Sequence, residues 1–197
     1  MNIRNITVRS VTIGEGMPKL CVPVVAKNRE SILSYVERVL EVKPDLVELR
    51  MDWFEGVTNA EAMRSLLQEI RQIAGDTVLL FTIRTSGEGG ELAVNVEDYK
   101  RLCTLACESG CIDLLDVEAY IGDGVLDLLS ATVTYYEQGM HNPVIAMAMG
   151  GVGVISRLAG EFFGSAVTFA SEGQISAPGQ IPVQEAKQII QILHEYR

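Results

Sequence analysis

At 197 residues, 48% of them hydrophobic and 21% charged, the chain is long enough to bury one sizeable core and has the balance of an ordinary globular domain. A formal net charge of −10 at pH 7, with no clustered run of lysine or arginine, argues against nucleic-acid backbones and anionic membrane surfaces as partners. No apolar run approaches the roughly 20 residues of a membrane span, and MNIRNITVRSV alternates polar and apolar in place of a signal-peptide core, so the expectation is a single cytoplasmic domain over residues 1–197.

Taken in chain order, residues from Met1 to Gly14 read as a hairpin, and Leu20–Val25 as the first strand of a larger sheet. Ile32, Leu33, Val36, Val39 and Leu40 then fall on one helical face. A strand follows at Leu46–Asp52, and Thr58 with Glu61 has the T-x-x-E form of a capping box opening the next helix. Further strands are predicted at Val78–Thr85, Cys111–Ala119, Pro143–Met149 and Ala166–Ser171. Their near-continuous apolar character suits strands covered on both faces, and the alternation with amphipathic helices predicts a parallel sheet or barrel, not a sandwich. A full eight-stranded (β/α) barrel takes about 250 residues. About six strands are legible here. Cys103, Cys107 and Cys111 recur every four residues within an apolar stripe, a spacing that suits small core packing and not a zinc or iron–sulfur motif, so neither metal, cofactor nor disulfide is expected.

The chemistry-bearing residues gather near predicted strand ends. Glu48 and Arg50 are two apart and share a strand face, with Val47, Leu49 and Met51 alternating; the spacing suits either a structural salt bridge at a barrel rim or a site. Arg84 ends FTIRT before the SGEGGE loop, where an arginine at the C-terminal end of a parallel strand can hold a carboxylate or hydroxyl, or stand as a solvated charge. Arg157 lies near the start of a predicted helix in ISRLAG, where free backbone N–H groups also favour anions. Ser176, Ala177, Pro178 and Gly179 make the segment leading to Gln180 a natural mobile loop.

Six segments together carry a resemblance: KLCVPVVAK, DLVELRMDWFE, LLFTIRTSGEGGE, IDLLDVEAYIGD, GVISRLAGEFFGSAVTFAS (Gly153 to Ser171) and SAPGQIPV (Ser176 to Val183). The chain resembles the type I 3-dehydroquinate dehydratases, lyases of the shikimate route to aromatic amino acids. The resemblance implies a TIM-barrel-like α/β fold with an N-terminal hairpin plugging its bottom, here reduced to about six strands. It implies a small carboxylate substrate of the 3-dehydroquinate kind, dehydrated through an imine on a lysine while a histidine shuttles protons. It further implies that Glu48 positions the catalytic histidine and that Arg50 helps bind substrate. Arg157 then pairs with the substrate carboxylate, Ser176 and Gln180 belong to the lid, and Met147, Met149 and Phe169 form apolar pocket walls.

The catalytic lysine and histidine have no counterparts. In the family pattern, the DVE-x-x-x-GD segment (Asp116 to Asp123) precedes two β/α units that carry them; here it runs through Gly124 directly into VLDLLSATVTYYEQ. The histidines are His141, at the wrong end of a predicted strand, and His194, in the C-terminal helix; the lysines are Lys19, Lys27, Lys43, Lys100 and Lys187, each readable as surface charge. Three accounts follow: an internally deleted, inactive family member; a binding or regulatory module for a small hydroxylated carboxylate; or other chemistry on Glu48, Arg50, Arg84 and Arg157. An unrelated phosphate-sugar barrel would need a glycine-rich phosphate cradle that the final loops lack. Closing the gap predicts that 114–117 pairs with 145–148. An edge left open would expose unpaired backbone groups, so a homo-oligomer, in the first place a dimer, is expected.

Overall fold

A computed structural model describes residues 5–116, 133, 137, 145–148, 150, 151 and 153–196. The expected hairpin is present as β1 (Ile6–Val8) and β2 (Val11–Ile13), antiparallel with Ile6 opposite Ile13. Five parallel strands follow among the described residues: β3 (Lys19–Val24), β4 (Leu46–Arg50), β5 (Val78–Thr82), β6 (Leu114–Leu115) and β7 (Val167–Phe169), in the sheet order β6-β5-β4-β3-β7. Two compact units share this chain, Pro23–Tyr120 and Met1–Val22 with Ile121–Arg197, and the crossing from one to the other falls inside β3.

In the unit Pro23–Tyr120, β4 and β5 are buried at every position, as strands covered on both faces must be. Their register pairs Leu46 with Val78 and Arg50 with Thr82. Helices α1 (Arg29–Glu41), α2 (Ala60–Ala74) and α3 (Val96–Glu108) connect the strands. The buried face of α1 is Ile32, Tyr35, Val36 and Val39; Leu33 and Leu40 are only half-buried, and Tyr35 takes the place expected for them. Helix α2 buries Met63, Leu66, Leu67, Ile70 and Ala74, a regular i, i+3, i+4 stripe. It is capped not by Thr58 but by Asn59, whose Oδ1 accepts from the N–H groups of Glu61 and Ala62 at 3.1 Å each. Cys103 and Cys111 are buried as expected, while Cys107 is exposed, just beyond the edge of a buried stripe made by Leu102, Cys103, Leu105 and Ala106.

Arg71 on α2 ties this unit together. Its guanidinium donates to the carbonyls of Cys111, Gly75 and Thr77 and to Asp113 Oδ2 at 2.6 Å, and the same Asp113 oxygen accepts from Leu79 N–H. The C-terminal end of α2, the start of β5 and the approach to β6 are thereby set by one ion pair.

In the other unit, β3 and β7 pair with Lys19 beside Val167. Helix α4 (Val154–Leu158) is short, and α5 (Val183–Glu195) buries Val183, Ala186 and Ile190. His194 on α5 meets the buried Glu161 at 2.8 Å. The strand expected at 143–149 is not a strand over 145–148. There the N–H groups of Ala146 and Ala148 donate to the hydroxyls of Ser165 and Ser156, which leaves them unavailable for a ladder. Val117, at the end of the expected pairing with 145–148, lies outside the described residues, as do Met149 and His141.

Candidate functional site

Among the described site residues, the candidates fall into two groups, one in each unit. In Pro23–Tyr120 the group stands at the C-terminal ends of β4 and β5. Strand β4 stops at Arg50 and turns at once into a 3-10 helix, Met51–Trp53, two residues earlier than the hydrophobic pattern predicts. That turn brings Asp52 back onto Arg50: Nε meets Oδ1 and Nη2 meets Oδ2, both at 2.8 Å, in a bidentate pair that is almost wholly buried. Arg50 therefore forms its ion pair on this face with Asp52. Burial works against the Arg50 charge, yet the hydrogen bonds and charge of Asp52, with Glu48 and Asp116 beyond them, carry its pKa upward.

Glu48 remains on the same strand face, with no ion pair among the described residues. Burial raises its pKa to about 7; Arg50, the Thr82 hydroxyl and Arg84 pull the other way, and Asp116 adds to the rise. Thr82 Oγ1 is buried beside it and has no hydrogen-bond partner of ordinary geometry among the described residues. Arg84 is a half-buried ion pair and not a solvated charge: Nη2 lies 2.7 Å from Asp116 Oδ2, and Nη1 lies 3.0 Å from Glu88 Oε2, an i, i+4 contact. Sequence reasoning missed three of these carboxylates, Asp52, Glu88 and Asp116, as parts of the site. Asp52 and Glu88 had a signal in the Arg50-x-Asp52 and Arg84-x-x-x-Glu88 spacings, whereas Asp116 meets Arg84 from 32 positions away.

The second group belongs to the other unit. Arg157 is 2% exposed and sits in the last turn of α4, not at a helix start, so free N–H groups do not assist it. Its Nη1 lies 3.3 Å from Met147 Sδ and its Nη2 reaches the Pro178 carbonyl at 3.5 Å. Thr168 Oγ1 donates to the Arg157 carbonyl at 2.7 Å and fixes the backbone beneath it. The Pro178 contact brings the 176–180 loop to Arg157. Within that loop, Gln180 Oε1 accepts from Ser176 N–H, Ser176 O–H and Ala177 N–H at 2.9, 3.1 and 3.3 Å. Met147 and Phe169 are half-buried. Among the described residues no group of three histidine, cysteine, aspartate or glutamate side chains stands together as metal ligands.

The model of the type I 3-dehydroquinases matches residues 20–124 and 122–197, two segments that together span most of the chain. The chain belongs to this family. The 3-dehydroquinate dehydratase of Clostridioides difficile strain 630 is 32% identical over 250 aligned positions, covering 98% of both chains. That of Bacillus velezensis is 34% identical over 252 positions, covering 98% of this chain and all of its own. The crystal structure of the Geobacillus kaustophilus 3-dehydroquinate dehydratase superposes with a TM-score of 0.91 at 34% identity, over 100% of this chain and 99% of that one. The TIM-barrel-like α/β fold implied by the sequence motifs is thus the fold of the type I 3-dehydroquinases, and this chain has it.

Proposed function

We propose that this chain is a type I 3-dehydroquinase relative that has lost two consecutive β/α units between Gly124 and Val125, and the dehydratase reaction with them, and that it keeps affinity for a small hydroxylated carboxylate of the 3-dehydroquinate kind. The observation that carries the loss of activity is the side-chain inventory. Dehydration through an imine needs an amine to add to the ketone and expel water. A base must then remove the neighbouring proton, and an acid must deliver a proton to the departing hydroxyl. Lys27, Lys43 and Lys100 are exposed, Lys19 is the first residue of β3, at its N-terminal end, and Lys187 lies on α5. His194 is engaged with Glu161. The two-part match to the family model meets at 122–124, and alignments of about 250 positions are filled by 197 residues; both support a deletion at that point.

Binding rests on Arg157. A buried guanidinium whose Nη atoms lie against a thioether and a backbone carbonyl is suited to take a carboxylate in a water-poor setting, where a charged pair is worth more than at the surface. In the Pro23–Tyr120 group, Arg50 faces Asp52 and Arg84 faces Glu88 and Asp116, a setting of alternating charge that suits hydroxyls. The same reading places the protein in the cytoplasm as a single domain and a homodimer. Calorimetric titration with quinate is expected to give weak binding that Arg157→Ala abolishes. Binding unchanged by that substitution overturns the assignment.

A further inference from the structure

The 176–180 loop is held by its own glutamine. Three donors converge on Gln180 Oε1, the amides of Ser176 and Ala177 and the Ser176 hydroxyl, while Gln180 N–H donates to Ala177 O at 3.3 Å. Two of the three are backbone N–H groups that can only donate, so the oxygen of the side-chain amide must face them and the Ser176 hydroxyl must donate too. The side chain is 7% exposed, so its position is set by packing as well. Both flanks are pinned: Ser171 N–H donates to Ile181 O and Val183 N–H to Ser171 O, at 2.9 Å each. At the tip, Gly150 N–H donates to Pro178 O at 3.1 Å, and Gly179 adopts φ +88° where a β-carbon would stand 2.4 Å from Gly150 O.

We propose that Gln180 is the positioning residue of this loop: its side-chain oxygen holds Ser176 and Ala177 in place before any ligand arrives, so that a ligand at Arg157 meets a turn already formed. The inference rests on the reading that Arg157 receives a carboxylate, and extends it by giving Gln180 a role that acts through Ser176 and Ala177. A loop built from Ser176, Ala177, Pro178 and Gly179 has little side-chain packing of its own, and ordering it at the moment of binding would draw on the binding energy. Three hydrogen bonds to one buried oxygen order it in advance. They also commit the Ser176 proton, so Ser176 can donate to a ligand only by leaving Gln180.

Amide hydrogen exchange on the intact protein without ligand tests this directly. Gln180→Met keeps the length and apolar stem but offers no acceptor, whereas Gln180→Glu keeps an oxygen for all three donors. Exchange at Ser176 and Ala177 is expected to rise about tenfold or more in Gln180→Met and to stay at the wild-type rate or below in Gln180→Glu. Ser176→Ala, which removes the hydroxyl bond alone, is expected to raise exchange at Ala177 about threefold and serves if the methionine variant does not fold. Equal exchange in wild type and Gln180→Met, or equal loosening by methionine and glutamate, overturns the proposal. Quinate association is expected to slow about tenfold in Gln180→Met at an unchanged melting temperature. If the wild type does not bind quinate at all, the carboxylate reading fails and the ligand-free exchange comparison still decides the positioning role.

Discussion

Glu48 sets the most specific expectation at the level of single residues. Its carboxyl is buried, and its pKa stands at about 7 against 4.5 for the free group. The folded state therefore holds this proton more tightly than the unfolded chain does. The stability linked to it is fully present below pH 4.5 and is lost as the pH rises through 7, by an amount on the order of 3 kcal/mol. Urea unfolding at about pH 5.5 and pH 8 should show wild type losing stability across that interval and Glu48→Gln losing clearly less; parallel losses in the two proteins would contradict the raised pKa. Alternation along Val47, Leu49 and Met51 made the shared face of Glu48 and Arg50 legible from the sequence. The pairing of Arg50 was not legible, because it depends on where β4 stops. A two-residue difference in strand length turned Asp52 from the next position along a strand into the bidentate partner of Arg50.

At the scale of elements, the helices and their buried stripes were read from periodicity, and the ends were read less well. The start of α2 is the clearest case. Thr58 and Glu61 have the capping-box spacing, but Asn59 offers an equally good acceptor one residue later and takes the N2 and N3 amides. Asn59→Ala is expected to cost about 1 kcal/mol in equilibrium unfolding, and Thr58→Ala a few tenths at most. The reverse order would restore the capping box. Arg157 was misplaced in the same way: the helix was foreseen, but its five-residue length was not, so a residue expected at an N-terminus occupies the last turn. The segment 145–148 reads as a strand by composition and is not one, because the serine hydroxyls that capture its amides come from residues 8 and 19 positions away. Such long-range capture leaves no mark in a local hydrophobic pattern.

For the molecule as a whole, membership of the type I 3-dehydroquinases was legible in six motifs and is borne out by the family match and by the Geobacillus kaustophilus structure. The fold class was legible for the same reason. What the motifs could not convey is how the candidate residues divide, with Glu48, Arg50 and Arg84 in one compact unit and Arg157, Ser176 and Gln180 in the other. The central claim is that a chain of this family holds no lysine able to form the imine. Incubation with 3-dehydroquinate and borohydride, followed by intact-mass and peptide analysis, tests it most directly. The account predicts no adduct on Lys19, Lys27, Lys43, Lys100 or Lys187 and no accumulation of 3-dehydroshikimate. Lys27, three residues beyond β3, is the lysine to watch most closely. A substrate adduct reduced onto any of the five, accompanied by turnover, would contradict the account.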